Sequence, residues 1–96
     1  MTITESEAYQ ADYQQLDLDA AGELVLAELQ RAISADPTSL FPYRKDLAAH
    51  LAHSKPFRRT DGRFFKLLIP YRTSNNNIEL IRLAAKEVKA SESAGG

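Results

Sequence analysis

Between Pro56 and Pro70 the chain carries Asp61-Gly62, a dipeptide that tolerates positive φ at both central positions of a type I′ turn. Such a turn folds the flanking runs against each other. The sequence therefore predicts an antiparallel hairpin with strands at 57–60 and 63–69. With a two-residue turn, Thr60 opposes Arg63 and Arg58 opposes Phe65. The pleat then sorts the side chains into two sets. Arg58, Phe65, Leu67 and Ile69 form the expected core face; Phe57, Arg59, Phe64, Lys66 and Leu68 form the other.

The four prolines (Pro37, Pro42, Pro56 and Pro70) all lie in the middle of the chain, and both flanks read as helical. Tyr9, Tyr13 and Leu16 are spaced for a short amphipathic helix. Ala21, Val25, Leu29 and Ala32 make a longer stripe over 19–34, with Asp19 as N-cap and Asp36-Pro37 as the stop. Pro42 suits the first position of a helix over 42–53, whose core side is Tyr43, Leu47, Ala48 and Leu51. Asn76 and Glu79 resemble a capping box for a last helix buried through Ile78, Ile81, Ala85 and Val88. The expected fold class is α+β: three to four helices around a single antiparallel hairpin, with winged-helix-like element order. A helix–hairpin–helix core is the alternative. A flexible or weakly helical segment over 1–16, one domain over 17–90 and a disordered tail over 91–96 complete the expected organisation.

Charge is polarised. Residues 1–43 hold eight acids and one base, whereas residues 44–72 hold eight bases and two acids, although the whole chain nets −1. A basic block beside an acidic one attracts polyanions or neutralises its own neighbour on folding. The first option makes the chain a small non-enzymatic regulator that binds nucleic acid. Phosphate contacts then fall to Arg58, Arg59, Arg63 and Lys66, and groove contacts to Arg44 and Lys45 on the preceding helix. Phe57 and Phe64 are the groups for base stacking or partner contact. The rival is a protein-binding module or small inhibitor, for example one encoded by a mobile element. It acts on a host protein through the hairpin aromatics or the acidic N-terminal helix. A free hairpin edge also suits a homodimer.

Catalytic motifs are missing. Cysteine is absent, no Gly-x-Ser-x-Gly or glycine-rich phosphate loop occurs, and the chain has four glycines. The expectation is no enzyme and no cofactor. The one chemistry the middle segment could serve is that of a small metal-independent ribonuclease, using arginine, lysine, histidine and Tyr71-Arg72. Asp46, His50 and His53 would share a helical face at i, i+4 and i+7, but two histidines and one carboxylate make a weak ligand set, and no metal site is assigned. The chain lacks the ~20-residue apolar run of a membrane span and a secretory start, so a cytoplasmic setting without a membrane is expected.

Overall fold

The computed structural model describes residues 2–37, 42–44 (backbone only) and 49–89. Strand β1 (Thr2–Glu5) leads into helices α1 (Glu7–Leu16) and α2 (Ala20–Ala35). Strands β2 (Pro42–Arg44), β3 (Ala49–His53), β4 (Phe57–Arg58), β5 (Phe64–Ser74), β6 (Asn77–Leu80) and β7 (Ala84–Val88) follow. The lateral order is β1-β6-β5-β3-β2, with β4 and β7 also pairing with β5. Because β3 and β4 share one edge of β5, and β6 and β7 the other, the strands occupy five lanes. β1 runs parallel to β6, and the remaining pairs are antiparallel.

This architecture overturns the expected three to four helices around a hairpin, and with it the winged-helix order. Residues 42–44 and 49–53 are strands rather than a helix, and the predicted last helix is β6 and β7. Asn75 and Asn76 explain the second difference. Both adopt positive φ, 41° and 66°, and make a two-residue turn between Ser74 and Asn77. That is the conformation a type I′ hairpin demands, so Asn76 turns a strand instead of capping a helix. Ile78 and Leu80 then alternate inward, both fully buried.

The hairpin exists, but one residue out of register. Phe57 pairs with Phe65 and Arg58 with Phe64. Arg59 N–H donates to the Arg63 carbonyl, leaving a three-residue loop in which Gly62 takes φ 89°. A left-handed glycine closing such a loop is the usual alternative to the two-residue turn. The slip inverts the first strand: Phe57 turns inward, 6% exposed, and Arg58 turns outward. The alternation along the second strand matches the sequence pattern, with Leu67 and Ile69 fully buried and continued by Tyr71.

Both helices cover one face of the sheet. Val25, Leu26, Leu29 and Ile33 of α2 and Tyr9 of α1 join Ala52, Phe57, Leu67, Ile69, Tyr71, Ile78, Leu80 and Leu83 in one core. Asp19 caps α2 as its sequence suggests, accepting from Gly22 N–H, and its second oxygen accepts from Thr60 N–H in the hairpin loop. Ser6 caps α1 through Tyr9 N–H and donates to the Ile81 carbonyl. Asp12 of α1 accepts from Leu83 N–H and from Arg82. The helices are thereby tied to both ends of the sheet.

Pro70 sits inside the central strand, where proline is ordinarily excluded for want of an N–H. Its carbonyl accepts from Ile81 N–H, so its nitrogen faces the same edge, at the break between β6 and β7. The missing donor falls where the ladder is already interrupted. On the opposite edge, Ser54 spans the irregular step between β3 and β4: its backbone N–H donates to the Leu67 carbonyl and its hydroxyl accepts from Leu67 N–H.

Candidate polyanion-binding face

The second face of the sheet is uncovered among the described residues. Alternation from the buried positions places Ala49, Leu51 and His53 of β3, Arg58 of β4, and Phe64, Lys66, Leu68, Pro70 and Arg72 of β5 on it. Glu79 of β6 and Ala84, Lys86 and Val88 of β7 complete it. Leu51, Leu68 and Pro70 make a half-buried apolar patch at its middle, and Phe64 with Val88 a second one on the far side of Lys66 and Lys86. Among the described residues this face carries four permanent cations against one carboxylate, Glu79, which lies opposite Arg72. Lys66 and Lys86 stand between the two apolar patches, Arg58 beside Phe64 and Arg72 beyond Pro70.

Lys66 and Lys86 are directly opposed in register. Like charges in that position, with Cβ atoms ~5 Å apart, destabilise a sheet. Neither has a carboxylate partner within ion-pair distance among the described residues, and neither does Arg58. His53, opposite Leu68, feels the same field. Partial burial, followed by the charges of Lys66 and Lys86, pushes its pKa below the ordinary histidine value. The imidazole is therefore neutral at pH 7, and an anion on this face would favour its protonation.

The structure divides the sequence-nominated residues. Arg58, Lys66 and Phe64 share the open face. Arg59 lies on the helix side, stacked 5.6 Å over the Phe65 ring, and donates to the Leu16 and Asp17 carbonyls at 3.4 and 3.2 Å. It fastens the hairpin to the α1–α2 connection. Arg63 pairs with Glu87 at 3.6 Å, with both side chains mostly exposed. Phe57 belongs to the core. Arg44 is in β2, and its side chain, like all of Lys45 and Asp46, lies outside the described residues. The hairpin is also no free tongue, because its second strand is paired along both edges.

Lys86 is not among the sequence-nominated residues, and Arg72 is named there for RNA cleavage alone, not among the phosphate contacts. Lys86 fell on a predicted helix, and only the true register brings it opposite Lys66. His50 and His53 separate onto opposite faces. His50 is 7% exposed and stacks on Tyr71 with ring centroids 4.8 Å apart. Among the described residues, no group of three histidine, cysteine or acidic side chains could hold a metal ion. Nor is any helix among them long and apolar enough to cross a membrane. Comparison of the chain with protein-family models, curated proteins and solved structures gives no match.

Proposed function

We propose that this protein is a small regulator that binds single-stranded nucleic acid on its open sheet face. The observation that carries this reading is the unrelieved Lys66–Lys86 pair, set between Phe64 on one side and Leu68 and Pro70 on the other, with Arg58 and Arg72 further along the same face. A phosphate between the lysines removes their mutual repulsion. Phe64 and the neighbouring aliphatic side chains offer a surface for unstacked bases. A flat face without a projecting helix is ill-suited to a duplex major groove, which favours a flexible single strand as ligand.

Fluorescence anisotropy with a labelled 12-nucleotide RNA tests the reading. Four phosphate contacts predict a log–log salt slope of about −3, equivalent to roughly 50-fold weaker binding at 200 than at 50 mM salt. Lys66→Ala with Lys86→Ala should flatten that slope by about 1.4. Equal binding by wild type and double variant at both salt concentrations would reject the face. Salt-insensitive capture of an acidic protein in place of RNA would transfer the face to the protein-binding class.

A second reading draws on His53. A neutral imidazole beside two ammonium groups is suited to metal-independent RNA cleavage. His53 would take the 2′-hydroxyl proton as the 2′-oxygen attacks phosphorus. The lysines would stabilise the added negative charge, and the ammonium group of Lys66 or Lys86 would give a proton to the departing 5′-oxygen as its bond to phosphorus breaks, leaving a 2′,3′-cyclic phosphate. RNA cleavage in EDTA that spares DNA and is lost in His53→Ala supports it. Intact RNA after prolonged incubation removes it and leaves the binding function standing.

A further inference from the structure

Away from the open sheet face, two cavities meet along α2 beside the edge strand β1. One, of about 320 Å³, lies against Glu5, Tyr13 and Glu23; the other, of about 460 Å³, lies against Ile3, Arg31 and Ser34. Ala27 and Gln30 border both, so the two make one groove. From Glu23 to Ser34 along the helix is ~16 Å, the length of about five residues of extended chain.

The wall of this groove is a sheet edge. β1 pairs with β6 and, among the described residues, with no other strand. Thr2 N–H donates to the Asn76 carbonyl and Ser6 N–H to the Leu80 carbonyl, both toward β6. Amide direction alternates along a strand, so the N–H and C=O groups of Ile3 and Glu5 point outward. An unpaired edge is a template for one more strand.

The side chains define what that strand must carry. Ile3 and Glu5 lie on the helix side of the sheet, opposite Ile78 and Leu80, two residues apart. An added strand therefore presents alternate residues to an apolar position by Ile3 and Ala27 and to an anionic one by Glu5 and Glu23. Glu23 also accepts from the Tyr13 hydroxyl at 2.7 Å, holding that ring at the acidic end, where an aromatic face further favours a cation.

We propose that the β1–α2 groove binds an extended segment of a partner protein by strand addition. The segment carries an apolar side chain two residues away from a lysine or arginine. Backbone pairing to Ile3 and Glu5 supplies attachment, and Glu5 with Glu23 selects the cation. This surface and the open face lie on different parts of the molecule, so either can fail alone.

The test uses the full chain, labelled with ¹⁵N, and the acetylated, amidated peptide Thr-Val-Thr-Lys-Thr-Val-Thr, beside the same peptide with glutamate replacing lysine. The lysine peptide should shift the Ile3 and Glu5 amide signals and slow their exchange. It should bind at least roughly tenfold tighter than the glutamate peptide. Glu5→Gln with Glu23→Gln should abolish that preference. Ile3→Pro should abolish binding while leaving the circular dichroism spectrum unchanged, because the lost N–H points outward. Unchanged Ile3 and Glu5 signals, or equal affinity for both peptides, would overturn the proposal. So would a concentration-dependent dimer, without peptide, that Ile3→Pro dissolves: the occupant would then be a second copy.

Discussion

The two faces of the sheet are built from neighbouring residues of the same strands, yet they obey opposite rules. On the helix side, Leu67, Ile69 and Tyr71 are fully buried, and the polar atoms among them are answered: the Tyr71 hydroxyl donates to the Pro37 carbonyl at 2.8 Å. On the other side, Lys66, Leu68, Pro70 and Arg72 keep partial or full exposure, and two lysines are set against each other. The core of the closed face leaves no buried side-chain polar atom unanswered among the described residues. The open face carries an arrangement that stability does not explain, and a ligand would relieve it.

The largest contrast should appear in the core. Ile69→Ala should cost about 2–5 kcal/mol of unfolding free energy, against less than ~1 kcal/mol for its neighbour Leu68→Ala. Urea denaturation measures both; equal losses would mean that the open face is covered in solution. Tyr71→Phe comes next. It leaves the Pro37 carbonyl without this donor and should cost about 1–2 kcal/mol. The same hydroxyl should resist ionisation until strongly alkaline pH, since burial pushes its pKa up to about 12. Ultraviolet titration at 295 nm would reveal an earlier ionisation if that burial were wrong.

These contrasts also indicate what the sequence could disclose. Helix α2 was legible from end to end, because Asp19, the apolar stripe and Asp36-Pro37 act locally. So was the alternation of β5. The strands that flank β5 were not. Ile78, Ile81, Ala85 and Val88 fit a helical spacing as well as two short strands, and runs of that length do not separate the two. What decides is the pair of open edges on β5, a tertiary circumstance that no local window contains. The hairpin loop failed for a smaller reason: Asp61-Gly62 serves a two- or a three-residue loop, and one residue of slip exchanged the roles of Phe57 and Arg58. Of the candidate site, the place of Arg58 depended on that register. The Lys66–Lys86 opposition needed β7 to be a strand at all.

Smaller effects come from pH. Hydrogen bonds from Arg82 and from Leu83 N–H hold the Asp12 carboxyl below its usual pKa. A depressed folded-state pKa contributes stability that is present above the unfolded value near 3.9 and is lost as pH falls through the folded one. Asp12→Asn should therefore flatten the acid limb of a stability-against-pH curve. His53 has the same sign by a different route. Its depressed pKa means the unfolded chain binds the proton more readily, so acidification below about 6.5 should weaken the free protein slightly. A polyanion reverses the preference. RNA affinity should rise as pH drops from 7 to 5.5, and His53→Ala should remove the rise; an identical pH profile in the variant would detach His53 from the face.

The most direct measurement maps chemical shifts on titrating the ¹⁵N-labelled protein with the 12-nucleotide RNA at low salt. The account predicts changes centred on Arg58, Phe64, Lys66, Leu68, Arg72 and Lys86, with α2 quiet, all reversed by added salt. Changes confined to the helices, or none at any RNA concentration, would contradict it.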